Sequence, residues 1–258
     1  MKKSSVIFSL LLIIGTGISI QAQSKSNLFR KTLEIGKSRE IKTDISFFAG
    51  ELNINGSTDK LAECFYGYKD HFLRPEMAYN EINEIGYLTI NSEKAEKGMN
   101  QNDLDHSNKW SLCLNKKLKN ALSIKLTAGK TNIDLEGCKL SCFDYKMTAG
   151  ESNINLRNTS VPQMQFNLLA GEANIDLSGE WHNDMVAIIK GGVGEITVKV
   201  PFNTGVRITA SGVLGEINMP FFNRNGNTYT NDLYEKTKYT LHIDISGGIG
   251  QINVEMVE

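Results

Sequence analysis

Proline, cysteine and tryptophan are all scarce in this chain of 258 residues, with 4, 4 and 2 copies. So few prolines exclude polyproline segments and stiff spacers. So few cysteines exclude a small fold built on disulfides, leaving at most two staples on a self-sufficient core. A surplus of either charge is also missing: 28 Lys and Arg against 29 Asp and Glu give −1. That balance excludes an electrostatic footprint on nucleic acid or on an anionic lipid surface. Past the first 22 residues no apolar run approaches the roughly 20 residues that a membrane-spanning helix needs. What the chain has is glycine, 23 copies, with 40% hydrophobic and 22% charged residues. This is the composition of a folded chain with many turns that need unusual backbone angles.

The N-terminal segment reads as an address. Lys2 and Lys3 precede an apolar run from Val6 to Ile20, broken by Ser9, Gly15, Thr16, Gly17 and Ser19, and the small Ala22 follows. This is the layout of a secretory signal peptide over residues 1–22, cleaved after Ala22. Its removal takes Lys2 and Lys3 and moves the net charge from −1 to −3. The mature chain, residues 23–258, is then expected in the periplasm or outside the cell, without a transmembrane segment. In an oxidising compartment Cys64, Cys113, Cys138 and Cys142 allow three complete pairings, among which spacing does not choose. Cys138 and Cys142 lack the second nearby Cys or His pair that a zinc site requires.

Seven segments align on one glycine: Gly50, Gly129, Gly150, Gly171, Gly194, Gly215 and Gly250. Phe48-Ala-Gly50-Glu-Leu-Asn-Ile, Thr127-Ala-Gly129-Lys-Thr-Asn-Ile and Thr148-Ala-Gly150-Glu-Ser-Asn-Ile show the pattern. From Gly129 to Gly215 the steps are 21, 21, 23 and 21 residues; the flanking steps, 79 from Gly50 and 35 to Gly250, mark insertions. Between glycines the apolar residues recur with period two, as in Leu122, Ile124, Leu126, then Phe143, Tyr145, Met147, which is the mark of strands. A repeat of 21 residues has no room for a strand plus a crossover helix. Each repeat is therefore a β-coil paired with the next, and the expected fold is all-β, a single β-solenoid of about 21-residue rungs with two insertions.

Three positions after the glycine stand Asn53, Asn132, Asn153, Asn174, Asn218 and Asn253, with Thr197 the exception. Such a column can bond from rung to rung as an amide ladder, the structural alternative to a row of ligand contacts. Two residues further come Asn55, Asp134, Asn155 and Asp176, which puts the two carboxylates two rungs apart, roughly 9 to 10 Å. Nothing apolar nearby would turn that pair into a glycosidase couple. Glu151, Glu172, Glu195 and Glu216 directly follow their glycines and are expected in successive rungs, as simple surface acidity or bridged by a cation. Gly191-Gly-Val-Gly194 and Gly247-Gly-Ile-Gly250 begin like a calcium-binding nonapeptide, but Ile196 and Ile252 stand where the ligand Asp belongs. His71, His106, His182 and His242 are scattered, and His182 beside Asp184 reads as a loop contact. No catalytic, cofactor-binding or metal-ligating set emerges, and no cofactor is called for.

Two stretches stand outside the repeat. Residues 57–109 read as an irregular β insertion ending in a polar loop, 93–109. Residues 221–236 concentrate aromatics, with Phe221, Phe222, Tyr229 and Tyr234 as either a cap over the last rungs or a patch for a partner.

The order Trp110-x-Leu-x-Leu-Asn, Leu122-x-Ile-x-Leu-Thr-Ala-Gly129-x-x-Asn-Ile-Asp-Leu, repeated Ala-Gly rungs, then Gly194-Glu-Ile-Thr-Val-x-Val-Pro-x-Asn-x-Gly-Val206 and a terminal Gly-x-Gly-x-Ile-x-Val resembles the toastrack domains. These are the β-solenoid domains of LiaF-like, cell-wall-active-antibiotic-response proteins and related adhesin-type proteins. The resemblance runs from about Leu33 to Val257. It implies a β-solenoid, carries no catalytic residues, and in LiaF-type proteins accompanies transmembrane helices and envelope-stress signalling; here a signal peptide stands in place of those helices. The expected function is a non-catalytic exported scaffold that contacts an envelope protein or glycan, with a glycan-binding or polysaccharide-active protein as the alternative.

Overall fold

The computed structural model describes residues 27–68, 75–92, 108–212 and 214–258. The signal-peptide segment, His71, His106 and most of the polar loop lie outside those residues. Among the described residues sixteen strands form one continuous sheet: β1 (Asn27–Leu33), β2 (Glu40–Thr58), β3 (Ala62–Tyr68), β4 (Pro75–Ile82), β5 (Ile85–Ser92), β6 (Lys109–Asn115), β7 (Lys119–Asp134), β8 (Leu140–Asn155), β9 (Gln163–Asp176), β10 (Met185–Pro201), β11 (Gly205–Ser211), β12 (Leu214–Asn218), β13 (Asn223–Asn225), β14 (Thr228–Thr230), β15 (Thr240–Ser246) and β16 (Ile249–Val257). The expected all-β solenoid is present.

Each of the long strands β2, β7, β8, β9 and β10 turns a corner at its glycine, which divides it into a first and a second arm. Neighbouring rungs pair in parallel with Gly50 opposite Gly129, then Gly150, Gly171 and Gly194. Gly150 shows why no other residue serves. Its φ is 143°, and a Cβ built there would lie 1.9 Å from the carbonyl oxygen of Gly129 in the rung below. The corner needs both a backbone angle that L residues avoid and the space a side chain would fill.

Inside the first arms, interior columns trade volume from rung to rung. Thr43 is followed by Leu122, Phe143, Met164, Ala187, Ile243 and Ile208. All seven are buried, which fills the coil without voids. In the second arms the interior column holds Thr131 and Ser152, whose hydroxyls meet the buried phenol of Tyr145: its O–H reaches Thr131 Oγ1 at 3.0 Å and lies against Ser152 Oγ. Burial pushes the Tyr145 phenol up from its ordinary pKa.

The stacking order departs from chain order at both ends. The even spacing of glycines places Gly215 against Gly194, but Gly250 sits between them, paired with both. After β10 the chain skips a place, lays down β11 and β12, turns through the hairpin of β13 and β14, and returns so that β15 enters between β10 and β11 while β16 enters between β10 and β12. The returning strands thereby satisfy both of their edges.

At the other end the described residues of the 57–109 insertion form β3, β4, β5 and the start of β6, and part of them belongs to the stack. β5 pairs in parallel with the first arm of β2 and β6 with its second arm. Together they make one further rung. Trp110 on β6 is buried, edge-on to Phe47 at 4.9 Å and to Tyr66 at 5.1 Å. Beyond this rung the ladder turns antiparallel: β4 lies on β5, and β3 followed by β1 on β6. At the opposite end β14 and β13 close the first-arm side in the same antiparallel way. Among the described residues no helix is long and apolar enough to cross a membrane.

Candidate functional site: the amide face

Period two beyond each corner sends the first, third and fifth residues after the glycine outward, and the second and fourth inward. The outer face of the second arms is therefore three polar columns. The second and third columns, with Ile54, Ile133, Ile154 and Ile175 between them, line a shallow, open trough of about 430 Å3 that runs across the rungs of Asn53, Asn132, Asn153, Asn174 and Thr197.

The middle column is joined along its length. The Asn132 amide donates to Asn53 Oδ1 at 3.0 Å, Asn153 to Asn132 at 3.4 Å, and Asn174 to Asn153 at 3.1 Å. Asn53 ends the run by donating to Glu51 at 2.9 Å. Thr197 carries no amide, and the run does not resume past it: Asn253 donates instead to Glu195 at 2.8 Å, and Asn218 lies exposed on β12.

The third column owes its Asn and Asp to the return turns. Each side chain accepts from the backbone N–H two residues on, Glu136 to Asp134 at 3.4 Å, Arg157 to Asn155 at 3.1 Å and Ser178 to Asp176 at 2.9 Å, which folds the chain out of the strand. Asn155 also donates to Asp134 Oδ1 at 2.9 Å. The strand-final Asn or Asp was the available signal for these turns, and the spacing argument about paired carboxylates passed over it. Both carboxylates face water with one oxygen engaged in a turn, so no apolar enclosure makes either an acid catalyst.

The first column is mixed. Lys109 pairs with Glu51 at 2.9 Å, and Lys130 with Glu151 at 3.3 Å. The Lys109 ammonium, aided by the Asn53 amide, holds the Glu51 carboxyl below its usual range. The expected run of four glutamates is interrupted, because the neighbour of Glu195 is Gln251, and Glu216 lies beyond it. Among the described residues no group of three or more His, Cys, Asp or Glu could hold a metal ion.

The four aromatics of the C-terminal insertion do not share one surface. Phe221 is 82% exposed, Phe222 packs partly on the core, and Tyr229 is buried beneath the Arg224 guanidinium, 5.4 Å from its ring. Tyr234 meets His242 edge-on at 6.2 Å. His182 and Asp184 serve different turns, the former's N–H donating to Ser160 Oγ at 3.1 Å and the latter accepting from Thr240 N–H at 2.9 Å. All four cysteines are free thiols. Cys64 and Cys113 lie on adjacent strands but face opposite sides, inward and outward. Burial pushes Cys64 and Cys138 up to about 11.

An exposed apolar line along the corner went unnoticed in the sequence. Val193, Ile249 and Leu214 occupy consecutive rungs just before their glycines, with exposures of 58, 57 and 68%, and Leu169 joins them at 62%. The signal was a change of the residue before the glycine, from Ala49, Ala128, Ala149 and Ala170 to bulkier side chains in the later rungs.

A family model described as the N-terminal domain of toast_rack, DUF2154, matches residues 20–171 and 143–199. The chain belongs to the toast_rack family. A toast-rack relative of known structure, a candidate cell adhesion protein from Clostridium sporogenes, is 27% identical over 90% of this chain and 100% of its own, with a TM-score of 0.66. A candidate adhesin from Bacteroides fragilis, 13% identical over 90% and 98% of the two chains, has a TM-score of 0.31. A candidate lipid-binding protein from Parabacteroides distasonis, 16% identical over 89% and 97%, has one of 0.33. Scores that low carry no weight here. No curated protein matches the sequence.

Proposed function

We propose that this toast-rack protein is exported after signal-peptide cleavage near Ala22 and acts, without catalysis, as an adhesion or scaffold protein of the cell envelope. The observation that carries this reading is the trough on the second arms. It is an open face built on paired strands, and its asparagine and aspartate side chains offer hydrogen bonds rather than a reactive group. The Clostridium sporogenes relative, described as a candidate cell adhesion protein, supports the same class of function. The LiaF-like resemblance extends the reading to a part in envelope-stress response. A polysaccharide-cleaving enzyme is disfavoured by Asp134 and Asp176, whose carboxylates stand open to water and hold turns.

The test begins with expression of the full chain in a bacterial host. The expected result is a processed protein starting at Gln23 in the periplasmic or extracellular fraction, and a purified mature chain that is retained on isolated envelope. A precursor that stays unprocessed in the cytoplasm, or a mature chain that washes off the envelope completely, overturns the reading.

A further inference from the structure

The amide column holds unused hydrogen-bonding capacity in a regular array. Asn132, Asn153 and Asn174 each engage one amide hydrogen with the preceding rung. Each nitrogen therefore keeps a second N–H and each oxygen a second lone pair, one such pair per rung at intervals of about 4.8 Å. The Oδ2 atoms of Asp134 and Asp176 add outward acceptors beside that row. The facing charge is negative, since Lys130 is paired with Glu151 and Lys199 stands alone at one end of the trough. A phosphate or carboxylate polymer is repelled there. No aromatic ring lines the trough, so it offers no platform for stacked bases.

We propose that the trough binds a neutral glycan strand bearing acetamido groups, laid along the stack with about one sugar to each rung. An acetamido group presents one N–H and one C=O, the same complement that each asparagine offers its neighbour, so the ligand extends sideways the pattern the ladder makes with itself. An extended β-linked pyranose chain advances by close to one rung spacing per sugar and turns each sugar about half a revolution from the last, so acetamido groups on one edge recur about every two rungs, in step with alternate amides. The inference rests on the reading of an envelope-facing binding protein and names the class of its partner.

The experiment is a calorimetric or NMR titration of the mature chain with N-acetylchitooligosaccharides of two to six sugars. A cello-oligosaccharide, which has hydroxyls but no acetamido groups, and a polyglycerol phosphate serve as comparisons. Affinity is expected to rise with length up to about five sugars, the number of rungs the trough crosses. The double variant Asn153→Thr, Asn174→Thr is expected to bind the hexamer about tenfold more weakly, because in either register of the ligand one of these two neighbouring amides is engaged. Thr197 already fills this column, so the variant keeps the fold, which its unfolding midpoint verifies. Phe221→Ser, outside the trough, should bind as the parent does. Absence of hexamer binding at millimolar concentration, an unchanged affinity in the double variant, or equal binding of the polyanion overturns the proposal. If the chain is still retained by envelope whose glycan has been digested, while the hexamer does not bind, this inference falls and the envelope reading stands.

Discussion

Replacing Gly150 with alanine should damage the protein more than any comparable surface change. The new Cβ would approach the Gly129 carbonyl oxygen to 1.9 Å, and the residue would hold a φ of 143°. The two rungs can separate only by giving up ladder hydrogen bonds at the corner, about 2 of them at about 1 kcal/mol each. The backbone angle adds about 1–2 kcal/mol, for a total of about 3–4 kcal/mol. Against a typical stability of about 5–15 kcal/mol this is a large fraction. It corresponds to a fall in Tm of roughly 6–16 °C for a chain of this size. Gly226 is the internal control: its φ is 62°, also left-handed, yet nothing lies within 4 Å of an added Cβ. Gly226→Ala therefore isolates the angle, at about 1–2 kcal/mol. Urea unfolding followed by circular dichroism measures both variants. If Gly150→Ala costs no more than Gly226→Ala, the close stacking of corners is not what makes glycine obligatory.

Tyr145→Phe removes the phenol that bonds Thr131 and Ser152, and should lower the urea-derived stability by about 1–3 kcal/mol; adding Thr131→Val and Ser152→Ala should recover part of the loss, because unpaired buried hydroxyls are then removed. Native protein treated with a maleimide near pH 8 should be labelled at the exposed Cys142 and more slowly at the half-buried Cys113, while Cys64 and Cys138, buried and raised to about 11, react only after unfolding. Mass spectrometry of peptides reads this directly, and an intact disulfide would contradict it. The folded Glu51 carboxyl is held below its usual 4.5 by Lys109, so its contribution is present above that value and disappears as the pH falls through the lowered one. Unfolding free energies of Glu51→Gln and the parent should differ by less than about 1 kcal/mol at pH 7, as suits a partly exposed pair, and should converge once the pH falls below the lowered value.

Much of the fold was legible because its determinants are local. A glycine every 21 residues marks corners, and alternation around Leu122, Ile124 and Leu126 marks which side faces in. The order of rungs was less legible. The 35-residue step to Gly250 says that something intervenes, but pairing partners are chosen by which sheet edge lies open, a property of the assembled stack and not of any segment. The same limit hid the rung of β5 and β6, which are two separate strands and carry no glycine motif of the repeat between them in the sequence. At the amide face the residues were visible in a column, while their hydrogen-bond direction, the turn duty of Asp134 and Asp176 and the halt at Thr197 depend on neighbours far along the chain. The aromatics of 221–236 read as one group because they are close in sequence; the turn before β13 leaves Phe221 exposed, while β14 buries Tyr229.

The returning strands β15 and β16 give the molecule a clasp. Strands β11 and β12 precede in the chain the strands that lie between them and β10, so they reach their final places only together with residues 240–257. The far end of the stack thus closes last, and a chain cut after Tyr239 would leave β11 and β12 without the partner that joins them to the rest.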